Sequence, residues 1–446
     1  MSVLNKIKLF FSGKQKEEEL FNKVEQQTDR SSVYMLSVSP NVYLACRAAK
    51  LCIGKKVNPN GTITDRMKYI EKIVGMGHES ILEHTNVVAA IIYYSPISNP
   101  EQFAEIIANG KYLNIIPKKD NEKTIVLIGG SIRGWMHLVR ETDQNNIYLE
   151  DIKQAMYQSI EKCFLKSLID KGLLDESKCN FMTYATVDKF VEDDQEPLPE
   201  IIEDPIEKES KTSDFIFATD FDKLRRDVFL LTDRYSKREI LKMCHFTFLF
   251  HDISRACGNQ LCRHRNGITQ ESQRYVTHEY TKEKDFIDPI RMQLNDRYKD
   301  FDKKLLDKFN TVDFKTYKNM ISAGIYKEDA RAWLPMNVTT KIMITFDGFT
   351  LAKFLYLRTA KGAQLEIRNL ANEILYITFT TIEKYIEFID TMMTPGFEDI
   401  KNDYTEEDIE EVIEESKVEF QDSKIDKEEA ERLLKVEEEY KSLEKK

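Results

Sequence analysis

The stretch 262–275 constrains this chain most, because it is densely polar and directly follows a run that predicts buried structure. It reads Cys-Arg-His-Arg-Asn-Gly-Ile-Thr-Gln-Glu-Ser-Gln-Arg-Tyr. Polar groups at this density are costly to bury unless something pairs with them. Arginine carries a planar fork of donors that suits phosphate and carboxylate groups. The pattern therefore predicts an anion-binding cradle, with a solvated charged turn as the alternative.

A second polar stretch occupies residues 77–84 and reads Gly-His-Glu-Ser-Ile-Leu-Glu-His. It lies between a predicted helix, for which Thr64 is the expected N-cap, and an apolar run. Two histidines, two glutamates and a serine in so short a segment indicate a functional turn. A turn that is simply solvated is the alternative.

The overall charge limits what the cationic stretch can serve. The chain has 446 residues, a formal net charge of -11 and 41% hydrophobic residues. This is typical of a soluble globular protein with two domains, or with one domain and large insertions. Nucleic-acid binders need a broad basic face, so the cationic stretch should serve a local anion. A single-stranded nucleic-acid module using Tyr275 and Tyr280 would need a broader basic surface.

The cysteines indicate a reducing compartment. There are seven, scattered through the chain, which predicts no disulfide framework. Cys244, Cys257, Cys262 and His264 are close in sequence but form no Cys-x-x-Cys pair, so we predict buried small side chains and no metal site. The segment 4–11 is too short for a signal sequence or a membrane span, and no run of eighteen apolar residues occurs. We therefore expect a cytoplasmic protein with neither a membrane nor a nucleic acid as partner.

Four stretches, taken in order, resemble the flavin-dependent thymidylate synthase family. Arg-His-Arg at 263–265 with the later Gln-Glu-Ser-Gln-Arg-Tyr is similar to the family signature, although the segment between the two halves is one residue shorter. The stretch 77–84 is similar to a second family motif. Glu-Asp-Ala-Arg-Ala-Trp-Leu-Pro at 328–335 and Ala-Gln-Leu-Glu-Ile-Arg at 363–368 complete the set. One departure is Asp-Gly-Phe at 347–349, where the family usually has Asn-x-Arg.

The resemblance implies an α+β fold of the flavin-dependent thymidylate synthase type, with a mixed sheet and flanking helices. The expected organisation is an N-terminal arm (1–38), a first part of the catalytic core (39–141), a mostly helical insertion with an acidic linker (142–219), the main core (220–390) and a charged helical tail (391–446). The apolar runs that begin at His84 and Lys123 are similar to those that begin at His245 and Lys341. This similarity, which pairs Arg140 with Arg358, leaves both a partial internal duplication and two generic strand-turn-helix units open.

The resemblance also implies a reaction, the methylation of dUMP to dTMP. Methylenetetrahydrofolate would supply the carbon, reduced FAD the hydride, and NADPH the electrons that reduce the flavin again. These ligands are anions, which suits a set of arginines in an acidic protein. Family members are homotetramers, so a homo-oligomer with active sites at subunit interfaces is expected. The alternative is a homologue that binds flavin and nucleotide but is catalytically impaired.

The same resemblance assigns roles to individual residues. Arg358 is the expected catalytic residue, acting on the pyrimidine ring. The expected cofactor contacts are His78, Ser80, Arg263, His264, Arg265, Asp347 and Lys353. The expected substrate contacts are Gln260, Arg263, Gln270, Glu271, Ser272, Gln273, Arg274, Arg331 and Arg358. Arg133 would replace the cation missing at Phe349, or else it merely solvates the start of a helix.

Overall fold

The computed structural model describes residues 31–39, 41–58, 61–94, 97–179, 213–264, 267–274, 276, 286–287, 310–360, 362–379, 387–388 and 391–392. Several of the predicted features lie outside these residues. They are Arg265, both tyrosines of the nucleic-acid alternative, most of the N-terminal arm, most of the acidic linker and nearly all of the C-terminal tail.

The described residues form two compact units. The first unit takes its residues from 1–45, 60–194 and 219–244, and the second from 46–59, 195–218 and 245–446. The segment 142–179, predicted as an insertion, therefore belongs to the same unit as 61–141. Each unit contains one four-stranded sheet.

The sheet of the first unit has the spatial order β1-β2-β4-β3 and consists of β1 (Ser31–Val38), β2 (Asn86–Tyr93), β3 (Leu113–Asp120) and β4 (Lys123–Ser131). The central strand β2 reads Asn-Val-Val-Ala-Ala-Ile-Ile-Tyr and is buried along its whole length. A two-residue turn joins β3 to β4, and within it Asn121 has a φ of 54°. Asparagine adopts this left-handed conformation more readily than most residues, which suits a tight hairpin. β1 lies at the end of the predicted N-terminal arm.

Helices flank the strands of the first unit along the chain. α1 (Asn41–Cys52) contains a boundary between the two units. The others are α2 (Ile63–Gly75), α3 (Pro100–Asn109), α4 (Ile132–Glu141), α5 (Leu149–Ser159), α6 (Lys162–Ile169), α7 (Phe221–Leu231) and α8 (Lys237–Leu241). The predicted N-cap of α2 is wrong by two residues. Thr62, in extended conformation, accepts the hydrogen bond from the Asp65 amide, and Thr64 lies inside the first turn.

The sheet of the second unit has the spatial order β5-β6-β8-β7 and consists of β5 (Ser213–Ala218), β6 (His245–Ser254), β7 (Gly267–Gln270) and β8 (Thr339–Asp347). Its helices are α9 (Arg255–Leu261), α10 (Lys327–Ala330), α11 (Gly348–Thr359), α12 (Leu365–Thr378) and a helical segment at 310–322. Fully buried phenylalanines from β6, β8 and α11 pack together in its core. The ring centroids of Phe346 and Phe354 are 5.2 Å apart.

The predicted α+β class is confirmed, but the predicted mixed sheet is wrong. Every pairing between the described strands is antiparallel. A strand buried on both faces is a continuous apolar run whichever way its neighbours point, so the sequence pattern carries no information on direction. The helix α9 begins only at Arg255, because β6 continues to Ser254 past a register shift between Phe250 and Ile253. No helix in the described part of the chain is long and apolar enough to cross a membrane.

Candidate functional site

The helix α9 presents the start of the cationic stretch, and its N-terminus is firmly held. The Ser254 hydroxyl caps it by accepting a hydrogen bond from the Cys257 amide at 3.0 Å. Ser254 also donates to Glu366 twice, from its amide at 2.7 Å and from its hydroxyl at 2.6 Å. At the other end of α9, the Gln260 side chain bonds to Gln364. Because both ends are tied to residues 364–366, α9 has a defined position from which to present Arg263.

Arg358 and His264 form a direct contact. The Arg358 Nε donates to the His264 Nε2 at 3.1 Å, and the imidazole and the Phe354 ring make an edge-to-face contact with ring centroids 4.9 Å apart. Burial, followed by the charges of Arg358 and Lys353, lowers the pKa of His264 to about 4. The imidazole is therefore neutral at pH 7, and since its Nε2 accepts, its proton lies on Nδ1.

Arg263 brings a second cation to this contact. Burial, and then the positive charge of Arg263, lower the pKa of Arg358. In the described ranges no carboxylate forms an ion pair with either Arg263 or Arg358. Like charges this close repel each other, and an anion bound beside them would relieve that repulsion. The arrangement fits the anion-binding cradle that the sequence predicts.

The influence of Arg358 on His264 can be measured directly. We expect Arg358→Met to raise the pKa of His264, because a cation that disfavours protonation is removed while the apolar stem is kept. Burial, the largest cause, should still hold the pKa below its ordinary value. Histidine-selective NMR titration measures this, with His264→Asn assigning the resonance. Lys353→Met is the matched control and should give a smaller rise, and an unchanged pKa in Arg358→Met would contradict the contact.

The second half of the cationic stretch is tied down mainly through its backbone. The Glu271 amide donates to the Lys341 carbonyl at 2.9 Å, and the Ser272 amide donates to the Cys52 carbonyl at 3.0 Å. Burial raises the pKa of the Glu271 carboxyl, which Lys341 partly offsets. The Gln270 side chain donates to the Thr340 hydroxyl at 3.4 Å, and Gln273 is buried.

Two further predicted arginines converge on Glu328. The Arg274 Nε lies 2.6 Å from the Glu328 carboxylate, and the Arg331 Nε donates to the Glu328 carbonyl at 3.1 Å. A small apolar cluster supports this segment, with Tyr317, Ala330 and Leu334 buried together. The structure thus brings together Arg274 and Arg331, which are far apart in sequence.

Asp347 and Lys353 differ in what they can offer to a ligand. Asp347 caps α11, with one carboxylate oxygen accepting from the Thr350 amide at 2.9 Å and the other from the Thr350 hydroxyl at 2.7 Å. Both oxygens are therefore already engaged in the cap. Lys353 is exposed one turn further along α11 and acts on His264 through its charge.

The polar stretch 77–84 lies in the first unit. His78 and Ser80 are both exposed there, at the start of a short 3₁₀ helix, Glu79–His84. At the other end of that helix His84 is fully buried, which lowers its pKa to about 3. The glutamates of the stretch face arginines, with Glu79 bonded to Arg140 and Glu83 bonded to Arg133.

Comparison with known proteins finds relatives for the segment 200–382, which includes most of the described residues of the second unit and residues 219–244 of the first. The family model described as "Thymidylate synthase complementing protein" matches residues 200–382. The flavin-dependent thymidylate synthase of Pyrococcus furiosus is 38% identical over 146 residues, covering 32% of this chain and 57% of that protein. The one from Geobacter sulfurreducens is 34% identical over 139 residues, covering 31% and 58%.

Over this segment the chain is similar to the flavin-dependent thymidylate synthases. It spans a little over half the length of these curated relatives, 57% and 58%. The match to the family model contains every predicted site residue from Gln260 to Arg358. His78, Ser80 and Arg133 lie outside it.

Sequence reasoning missed the residues that support the family motif. Ser254 and Glu366 position α9, and Phe354 packs on His264. Glu366 lies in the stretch 363–368, which resembles a family motif. That resemblance was the one sequence feature that pointed to a role for Glu366. The partnership between Ser254 and Glu366 joins residues far apart in sequence, so no spacing rule reveals it.

The cysteines near the motif are mostly buried. Burial raises the pKa of Cys244 to about 12 and that of Cys257 well above its ordinary value. Among the described residues no group of three or more histidine, cysteine or acidic side chains could hold a metal ion. The two buried thiols act as small core side chains.

Proposed function

We propose that this chain is a flavin-dependent thymidylate synthase, which methylates dUMP to dTMP with methylenetetrahydrofolate as the carbon donor. FAD would be its cofactor and NADPH its reductant. The observation that carries the proposal is the cluster of Arg263, Arg358 and neutral His264, in a segment that matches the family. The proposal includes a homo-oligomer with active sites at subunit interfaces, and a cytoplasmic location.

Arg358 is the proposed catalytic residue. A guanidinium beside N3 and its neighbouring carbonyl stabilises the ionised uracil, which raises the electron density at C5 where the carbon is added. His264 holds Arg358 in place by accepting its Nε–H, which leaves the two terminal nitrogens to face the ring. Because His264 is neutral, it adds no charge that would compete for the anion.

The residues around His264 suit an anionic dinucleotide cofactor. Arg263 and Lys353 supply positive charge, and Arg265 is a further proposed contact. His78 and Ser80, in the first unit, are proposed as cofactor contacts from the family resemblance alone. Asp347 is a weaker candidate because its carboxylate caps α11. When bound, the flavin supplies the hydride that completes the new methyl group.

The remaining residues of the motif are proposed to bind the nucleotide. Arg274 and Arg331 lie together at Glu328 and would take the phosphate. Since Arg274 is paired with Glu328, the phosphate must compete with that carboxylate or bind beside it. The other proposed nucleotide contacts are Gln260, Gln270, Glu271, Ser272 and Gln273.

A second candidate is a homologue that binds flavin and nucleotide without catalysis. Phe349 stands where the family usually has an arginine, and this favours the second candidate. Arg133 was the predicted substitute, but it is already paired with Glu83. If Arg133 still serves the cofactor, it must do so while remaining in contact with that carboxylate.

The experiment that separates these candidates uses the purified full-length chain reconstituted with FAD under anaerobic conditions. A synthase is yellow, is bleached by NADPH, and regains its colour while forming dTMP when dUMP and methylenetetrahydrofolate are added. A catalytically impaired homologue binds FAD and dUMP but forms no dTMP. A protein that cannot be reconstituted with FAD at all would contradict both candidates.

Ser272 is proposed to bind the nucleotide rather than to act as a nucleophile. Its hydroxyl accepts a hydrogen bond from the Arg274 amide at 3.1 Å. We expect Ser272→Ala to weaken dUMP binding by about 0.5 to 1.5 kcal/mol, or up to about 3 if the lost partner is charged. Calorimetric titration measures this, with Ser177→Ala in the first unit as the control. Isolation of a covalent nucleotide adduct on Ser272 would refute the assignment.

A further inference from the structure

The two sheets share more than their strand number. In each, the order is first strand, second, fourth, third, and all pairings are antiparallel. Each first strand also carries an irregularity at the same place. In β1 the register shifts between Met35 and Ser37. In β5 it shifts between Phe215 and Phe217, and in both sheets two paired residues follow up to the end of the strand.

The pairing of the central strands matches residue for residue over the first six residues of β2 and β6, up to the register shift that follows Phe250. Asn86 of β2 pairs with Ser131, the last residue of β4, and His245 of β6 pairs with Asp347, the last residue of β8. Ser131 and Asp347 then each cap the following helix through the amide three residues later, at Gly134 and Thr350. The third strands agree as well, with β3 and β7 each paired to the fourth strand on its outer side.

This register corrects one equivalence drawn from the sequence. When the two units are aligned on the capping residues Ser131 and Asp347, Phe349 corresponds to Arg133, as the sequence comparison predicted. Arg358, however, corresponds to Thr142 rather than to Arg140. Thr142 is the buried residue that ends α4, so the first unit has no cation at the position of the proposed catalytic arginine.

We propose that the first unit is a second copy of the family domain that has kept the sheet and lost the nucleotide site, so that each chain binds one nucleotide rather than two. The inference rests on the proposed function. Two unrelated sheets have no physical reason to share strand order, register, the position of an irregularity and a capping residue. A duplicated sequence shares all four, because register and caps follow from the residues themselves.

The connection between the second and third strands differs in composition between the two units. In the second unit it carries the cationic stretch. Between β6 and β7 the chain contributes Arg263, His264 and Arg265. The corresponding connection between β2 and β3, residues 94–112, contains α3 and has no arginine or histidine. This connection therefore lacks the arginine and histidine donors of the cationic stretch, and Lys111 is its one basic residue.

The arginines that do lie near this part of the first unit are paired internally. The Arg140 guanidinium bonds to both oxygens of Glu79, one of them at 2.7 Å, and to the Ser167 hydroxyl at 2.8 Å. Burial would raise the pKa of Glu79, but Arg140 and Ser167 outweigh it and hold the pKa below its ordinary value. Arg133 is paired with Glu83. A nucleotide would have to displace these carboxylates, so the former site is closed by ion pairs.

The test is the number of dUMP molecules bound per full-length chain reconstituted with FAD. Equilibrium dialysis measures the bound dUMP, which is divided by the concentration of active protein. One dUMP per chain is expected. The double variant Arg274→Ala/Arg331→Ala, which lacks the proposed phosphate contacts of the second unit, should bind none, because no second site remains. Two dUMP per wild-type chain, or one in the double variant, would overturn the inference while leaving the proposed function standing. No dUMP on the wild-type chain would overturn the proposed function, and the inference with it.

Arg140→Ala serves as the matched variant in the first unit. It should leave the stoichiometry at one and the affinity for dUMP unchanged. Its expected effect is faster hydrogen exchange in α6 and in the segment 79–84, where its partners lie. A loss of the single bound dUMP in a folded Arg140→Ala protein would show that the first unit contributes to binding and would contradict the inference.

Discussion

Arg358→Ala is expected to lower the rate of dTMP formation by about 10²–10³-fold, the range seen when one donor to a developing negative charge is removed. Flavin should stay bound, because Arg263, Lys353 and His264 remain. The physical reason is that the guanidinium stabilises the ionised uracil, which is formed only as the reaction proceeds. Single-turnover kinetics with pre-reduced flavin measures the effect without interference from the reductant.

Arg358→Lys is the matched control for charge. It should be nearly as impaired as the alanine variant, because an ammonium group keeps the charge but loses the planar fork. The three N–H donors of its ammonium group are tetrahedral, so they cannot reproduce the parallel pair that the guanidinium would present to the ring. Loss of flavin from Arg358→Ala, with unchanged turnover for each flavin that remains, would place Arg358 at the cofactor instead.

Phe354→Ala is expected to destabilise the second unit by about 3–5 kcal/mol, as for other fully buried phenylalanines. It should also weaken dUMP binding, because the Phe354 ring packs on His264, which in turn holds Arg358. Hydrogen exchange in β6 and β8 reports the stability of that unit, and calorimetry in the cold reports the affinity.

Phe164→Ala provides the comparison in the first unit. Phe164 is also fully buried, and its removal should cost a similar free energy of unfolding. Its hydrogen-exchange effect should appear in the first unit, and dUMP affinity should stay at the wild-type value. Equal losses of dUMP affinity in the two variants would mean that Phe354 acts on binding through general stability, not through His264.

Local patterns were enough to predict many of the elements. The apolar runs that begin at His245 and Lys341 lie in the strands β6 and β8, and a helix precedes the polar stretch 77–84, as their patterns predicted. The predictions were wrong where tertiary contacts determine the end of a helix or the pairing of a strand. The N-cap of α2 is Thr62 rather than Thr64, and the end of the predicted arm is the strand β1, which pairs with β2 along its length.

The candidate site was predictable in its residues but not in its connections. The density of arginines in 262–275 and its resemblance to a family motif were visible without a structure. The contact of Arg358 with His264, and of Arg274 with Glu328, were not, because each joins residues that are 94 and 54 positions apart. Such pairs depend on how helices and loops pack against one sheet.

The amino-acid sequence by itself determined the α+β class, the cationic stretch and the resemblance to the family, since these follow from residue types and their local order. Only the tertiary structure decided three things. It made every described pairing antiparallel, it neutralised His264 through burial and neighbouring charge, and it aligned the two sheets in one register. Strand direction, pKa and long-range register are properties of packed neighbours, and in this chain those neighbours come from distant parts of the sequence.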